Sequence, residues 1–302
     1  MAAVALLLLF FGAGVLLRQS MQEERALSLS RHLTRYVIYI ALPALILHQM
    51  PRLHPDTSLL LPIISAWGVF LFSVGVLLIA ARYWGWSRSL LGGMLLSVPL
   101  GNTSFMGIPF TQAFFGEAGI PYALIYDQLG SFLILSTAGI VILALFRGES
   151  PSSKKILLSI LRFPAFVALA LSLLLPAAVL EWLDPLSAAL ASTLSPVALV
   201  AVGLQLQLRF EAEHRSALIF GLLLKLILAP LLLLWIFRLA GIEGIAAQVS
   251  VFEAAMAPMI SSSSMAILAG LESRFVATLL GYGILASFLT LPVAARIVQS
   301  LL

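Results

Sequence analysis

Apolar residues run along this chain in long blocks, separated by short clusters of charged, glycine and proline residues. Each block, read between its charged or turn-forming ends, predicts a helix. The first set lies near residues 2–17, 33–50, 58–80, 89–115 and 119–146, the second near 156–180, 186–208, 216–238, 244–270 and 275–301. Blocks of this length suit a hydrocarbon core of ~30 Å crossed at ~1.5 Å per residue. Backbone polar groups in lipid must pair within their own segment, and the blocks lack the two-residue alternation of a transmembrane barrel, so the pattern predicts ten membrane helices. Residues 2–17 have no positive stretch ahead of them, and the first charge, Arg18, follows the block; they are read as the first span, not as a secretory leader.

The most polar connection, RGESPSSKK at 147–155, falls midway and reads as a cytoplasmic linker between five-helix halves at 1–146 and 156–302. Five spans per half is odd, so a duplicated half would be inserted upside down relative to its partner. Traces of duplication are LPALIL around Pro43 and SPVALV around Pro196, each in the second span of its half. Counting twenty residues on from Arg82 and Arg238 also lands on Asn102 and Pro258, the irregular points of the fourth and ninth spans.

Charge turns the pattern into a topology. Thirteen of the basic residues (Arg18, Arg25, Arg31, Arg35, Arg82, Arg88, Arg147, Lys154, Lys155, Arg162, Arg209, Arg215 and Arg274) fall on one side of the ten-span layout, against three on the other (Arg52, Arg238 and Arg296). The basic side is expected in the cytoplasm, which puts both termini outside a bacterial inner membrane. Composition agrees with the class: 61% of the 302 residues are hydrophobic and 10% charged, with a mean hydropathy of +1.09. The net charge of +4 follows from the loop bias and comes with no basic aromatic platform, so nucleic-acid binding is not expected. The absence of cysteine excludes disulfides, thiolate metal sites and a cysteine nucleophile. No HExxH, GxSxG, P-loop or paired metal-ligand spacing occurs, which argues against an ATP-driven pump, a membrane hydrolase or a resident metal.

Candidate chemistry gathers in the two irregular spans. SVPLGNTSFMGIPF at 97–110 places Pro99, Gly101, Asn102, Thr103, Gly107 and Pro109 together, and FEAAMAPMISSSSM at 252–265 places Pro258 before four serines. Proline removes a helix N–H and glycine weakens the helix, so both spans are expected to break in mid-membrane. A lone proline usually serves only a packing kink, but two such clusters at matching positions point to a polar site. Half-helix N-termini there would favour an anion. Ser261 and Ser262 are candidate ligands, and the serines equally suit close helix packing. Asp127, Lys225 and Glu253 are ionisable residues deep in apolar spans, where charge is expensive. Lys225 is open to two readings, a contact for a substrate carboxylate or an ion pair with Asp127 or Glu253. Asp127 and Glu253 are candidate Na⁺ or H⁺ coupling sites. His48, Gln49, Gln205 and Gln207 lie near helix ends and read as helix-to-helix or headgroup contacts.

The segments LPALIL, GNTSFMGIP, YDQLGSF with Asp127, SPVALVAVGLQL and AAMAP occur in order along nearly the whole chain, and in this the sequence resembles the auxin efflux carrier family. The resemblance implies a ten-helix fold related to bile acid sodium symporters, with crossing broken helices and a transport domain that moves elevator-like against a scaffold. It also implies a crossover marked by Asn102, Pro109 and Pro258, with the substrate carboxylate near the half-helix ends. The expected cargo is a small organic anion, the expected surroundings are membrane lipid, and a homodimer is the expected assembly. The alternatives are a Na⁺- or H⁺-coupled bile acid-like symporter and a passive channel or sensor.

Overall fold

The computed structural model describes residues 2–53, 57–208 and 213–302. Arg209, counted above among the basic loop residues, lies outside the described residues. Among the described residues every regular element is helical. They are α1 (Ala2–Ser20), α2 (Glu23–Arg52), α3 (Thr57–Trp84), α4 (Arg88–Ser97), α5 (Ile108–Phe115), α6 (Glu117–Arg147) and α7 (Ser153–Leu161). There follow α8 (Pro164–Leu174), α9 (Ala177–Gln205), α10 (Arg215–Ala240), α11 (Ile245–Ala254), α12 (Ile260–Leu268) and α13 (Ser273–Leu301). Six of these, α2, α3, α6, α9, α10 and α13, are long and apolar enough to cross a membrane. The pair α7 and α8, bent by 62°, makes a seventh if taken as one span, and shorter apolar helices lie at Val4–Ser20 and Ile245–Ala254.

Several boundaries differ from the hydropathy reading. The second helix begins at Glu23 instead of near 33, because EERALSLSRHLTRY is rich in good helix formers and starts with Glu23 and Glu24 at the N-terminal end, where acidic groups are favoured. The sixth and seventh spans separate at Leu175 and Pro176, not in the polar stretch 181–185. Glu181, Asp184 and Pro185 lie inside α9, since Pro176 can cap a helix but cannot continue the preceding one. The α6 helix ends at Arg147, where the polar stretch begins. Gly148 takes a left-handed conformation (φ 73°), and the Glu149 N–H closes back on the Ala144 carbonyl at 2.8 Å, a C-terminal motif that favours glycine.

The chain divides into two compact units. The first comprises Met1–Asp56, Ser104–Leu124 and Leu157–Leu206. In it α1 packs on the C-terminal part of α9 with almost no side chain between them: a Cβ on Gly14 would overlap the Val200 carbonyl oxygen, and one on Gly203 the Phe11 carbonyl oxygen. Close backbone approach through small residues is how membrane helices gain dispersion contacts where no hydrophobic driving force distinguishes helix from lipid. Polar bonds lock the same unit: Arg18 donates to the Leu204 carbonyl (2.9 Å), Tyr36 shares a bond with Thr193 (2.9 Å), and Asp184 bridges His48 (2.8 Å) and Arg52 (2.7 Å).

The second unit comprises Thr57–Thr103, Ile125–Ile156 and Gln207–Leu302. One apolar cluster joins Leu77, Met94, Leu96, Leu224, Phe275 and Leu279, and a second gathers Ala66, Phe70, Leu100, Tyr126, Ile134 and Met259. Leu100 and Met259 of this second cluster lie within the two helix breaks, so the breaks are held in a packed interior.

Candidate functional site

Two chain breaks inside the second unit are bonded to each other. The α4 helix stops at Ser97, a π-helical turn resumes at Thr103, α11 stops at Ala254 and α12 resumes at Ile260. Between these ends Gly101 and Pro258 form an isolated antiparallel bridge. The Asn102 N–H donates to the Ala257 carbonyl (2.8 Å) and the Met259 N–H to the Leu100 carbonyl (2.9 Å). Gly101 and Pro258 are thus the pair that exchanges no hydrogen bond of its own, the narrow position of an antiparallel ladder. Proline sits there without wasting a donor site, and glycine lets the two backbones close. Gly283 of α13 lies against the Pro258 ring, where a Cβ would overlap Cδ. Gly283→Ala is therefore expected to destabilise the second unit by about 1–3 kcal/mol, the usual cost of overpacking, measurable as a lower unfolding temperature in detergent.

The helix ends leave polar groups that the bridge does not use. The Asn102 Nδ2, Ser97 Oγ, Gln128 Oε1, Ser65 Oγ and Ser263 Oγ atoms are buried without a hydrogen-bond partner. Each such group costs roughly 1–3 kcal/mol. Ser97 and Asn102 beside the first break and Ser263 after the second place three of these groups close along the chain to the bridge, where they could bond a polar guest. Thr103 donates to Asp127 Oδ1, and the Gln128 amide donates to Asp127 Oδ2 at 2.6 Å. Lys225, 2% exposed, donates to the Ala254 carbonyl at 3.1 Å, and its charge interacts with that of Glu253, which is wholly buried. A Cβ on Gly101 would stand 3.2 Å from Lys225 Nζ, so the ammonium lies directly beside the bridge. Thr103, Asp127 and Lys225 all fall in π-helical segments (Thr103–Gly107, Tyr126–Phe132 and Leu224–Leu228). Such departures from α-geometry are often found at functional positions.

Of the residues singled out in the sequence, Asn102, Thr103, Asp127, Lys225, Glu253 and Pro258 all belong to this unit and are buried. Gly107 and Pro109 are buried in the first unit, next to and in α5. The serines divide: Ser261 is exposed, Ser262 is tied to the Met259 carbonyl (3.2 Å), and Ser263 holds the unpartnered hydroxyl. Ser97 and Gln128 were not singled out in the sequence, and Ser263 only as one of the four serines after Pro258; their place within a few residues of a break or of Asp127 was the available signal. Of the helix-end residues, His48 binds Asp184, Gln49 donates to Glu117 (2.7 Å) and Gln205 to Thr34 (3.4 Å). These are bonds between helices of the first unit.

Long apolar helices with a polar, backbone-lined interruption buried among them define a multi-pass membrane protein of the kind that handles solutes. The chain belongs to the membrane transport protein family, the auxin efflux carrier type, whose family model matches residues 6–295. It is 26% identical over 273 residues to an uncharacterized transporter of Methanothermobacter thermautotrophicus, covering 86% of each chain. It is likewise 26% identical over 283 residues to an uncharacterized transporter of Methanocaldococcus jannaschii, covering 85% of each. The family and these relatives are transporters, not enzymes.

Proposed function

We propose that this protein is a secondary carrier that moves a small organic anion, a mono- or dicarboxylate, across the cytoplasmic membrane by binding it at the bridged helix breaks. The observation that carries this reading is the bridge itself: α12 begins two residues after Pro258, and the Asn102 Nδ2 and, early in α12, the Ser263 hydroxyl are buried without a partner. Helix N-termini and unused N–H donors stabilise negative charge. Asn102, Thr103, Pro258, Ser261 and Ser262 form or border this site, with Gly107 and Pro109 shaping the chain that leaves it. On this reading α1, the long helices, the bent pair and the two broken helices make ten crossings in two inverted repeats. The equal lengths of α4 and α11, ten residues each, and the left-handed Gly85 and Gly241 that end the helices before them support the repeat. The second unit is the moving part of an elevator and the first its scaffold, each drawn from both halves, with the basic loops and linker inside and both termini outside.

Counterflow in proteoliposomes tests the reading. A panel of labelled carboxylates should include at least one whose uptake is accelerated by the same compound on the opposite side. Flux without trans-stimulation would indicate a channel instead, and no uptake of any carboxylate would remove the substrate assignment.

A second reading, coupling to Na⁺ or H⁺, is favoured by the burial of the Asp127 and Glu253 carboxylates. If it holds, replacing Na⁺ by choline or collapsing the pH gradient slows transport, and Glu253→Gln removes that dependence. Ion dependence unchanged by Glu253→Gln would exclude Glu253 as the coupling group.

A further inference from the structure

A cavity of about 470 Å³ opens at the end of the first unit where α2 stops and α8 passes into α9. Its polar wall carries both signs of charge. Asp184 holds His48 and Arg52, and Arg52 also donates to the His48 carbonyl, which fixes a half-exposed guanidinium at the rim. These bonds do not exhaust its five N–H donors. Glu181, three residues before Asp184 on α9, lines the same cavity, is exposed, and has no hydrogen bond or ion pair among the described residues. Leu47, Leu175 and Leu180 make the apolar wall. Beside it Leu173 and Leu174 at the end of α8 are exposed, and Trp182 presents an exposed ring of the kind that settles at headgroup level in a membrane.

A simple anion in this cavity would meet the uncompensated Glu181, and a simple cation would leave the spare Arg52 donors unused. A zwitterion satisfies both. Glu181 is separated from the Asp184 that anchors Arg52 by the ~4.5 Å rise of three helical residues, a distance that a two-carbon bridge between phosphate and ammonium spans.

We propose that this cavity binds the headgroup of an ethanolamine phospholipid, its phosphate on Arg52, its ammonium on Glu181 and its acyl chains along Leu173 and Leu174. Ala177, in the first turn of α9, also lines the cavity, and the N-terminal end of that helix adds to the attraction for phosphate. The bound lipid ties α2 to α9 from outside. The inference goes beyond the carrier reading and does not depend on the cargo, because every residue it uses belongs to the first unit.

The test is thermal unfolding of the full-length protein in detergent with short-chain phosphatidylethanolamine, short-chain phosphatidylglycerol or soluble phosphoethanolamine. Wild type should be stabilised saturably by the ethanolamine lipid, by about 5 °C near saturation, and clearly less by the other two. Glu181→Lys, whose native side chain has no partner to lose, should reverse the order of the two lipids, since the new ammonium repels that of the ligand and attracts an anionic headgroup. Glu181→Gln should respond to both lipids alike. Arg52→Gln should lose most of the response to either lipid; it also loses the Asp184 ion pair, so the Glu181 variants keep the proposal testable if it fails to fold. Equal stabilisation of the wild type by both lipids, or an order that Glu181→Lys leaves unchanged, would overturn the proposal. So would soluble phosphoethanolamine that acts as well as the lipid at the same concentration, which would make the ligand a free phosphate ester. Disulfide-linked pairs formed in full yield by Glu181→Cys in membranes would give the cavity to a second copy of the chain and overturn it as well. A failure to find a transported carboxylate leaves these outcomes as they are and counts against the carrier reading alone.

Discussion

Asn102→Ala is expected to lower carboxylate transport about 10- to 100-fold while leaving the unfolding temperature unchanged or higher. The side-chain Nδ2 is buried without a partner, so in the empty protein its removal relieves an unsatisfied donor. The backbone N–H that holds the bridge to Ala257 is retained by alanine. A bound carboxylate would lose one charge-assisted hydrogen bond, about 1.5–3 kcal/mol, which sets the size of the effect. The opposite signs on stability and transport separate a ligand group from a structural one. An asparagine needed only for the fold would lower the unfolding temperature when replaced. Uptake kinetics and thermal unfolding of the same preparation check both halves.

The second large effect is expected in the first unit, from Gly203→Leu. Where a Cβ at this position would overlap the Phe11 carbonyl, the obstacle is backbone, and neither helix can yield by turning a side chain. Displacing α1 from α9 also draws Arg18 from the Leu204 carbonyl. The cost should reach ~3 kcal/mol, the upper part of the overpacking range, and appear as loss of monodisperse protein after detergent extraction. Gly14→Leu should fail in the same way, since its clash with Val200 is the other side of the same contact. A Gly203→Leu protein that purifies and unfolds like the wild type would show that this packing does not stabilise the unit.

Much of the fold was legible in the sequence because lipid simplifies the problem. Long apolar blocks have few alternatives to helices, and proline and glycine clusters at Pro99–Pro109 and around Pro258 announced the two interruptions by removing donors and weakening the helix. Boundaries were less legible where a polar stretch continues a helix, as in residues 23–36 and at Glu181 and Asp184. Polarity marks the membrane edge, and the helix ends only where capping or a proline ends it.

At the candidate site the helix breaks were legible in the sequence, and the bonds between them were not. Asn102 and Pro258 stood out as breakers, but the bonds that join the two breaks run from the Asn102 N–H to the Ala257 carbonyl and from the Met259 N–H to the Leu100 carbonyl, backbone groups that side-chain identity does not announce. Lys225 shows the same limit, because its partner is the Ala254 carbonyl, a group every residue possesses. Its readings as a substrate contact and as an ion pair with a carboxylate were the ones that side chains alone suggest. The division of labour among the serines depends on the rotation of α12 after Pro258, which a run of four identical residues cannot reveal.

The absence of cysteine makes one direct measurement of the central claim simple, because any introduced thiol is unique. Ser261, exposed at the start of α12, accepts such a thiol without disturbing the buried bridge. The rate at which Ser261→Cys reacts with a charged thiol reagent is predicted to fall, in a concentration-dependent way, when a carboxylate that the protein exchanges in proteoliposomes is added. A reaction rate unaffected by that carboxylate, at concentrations that saturate its exchange, would contradict binding at the helix breaks.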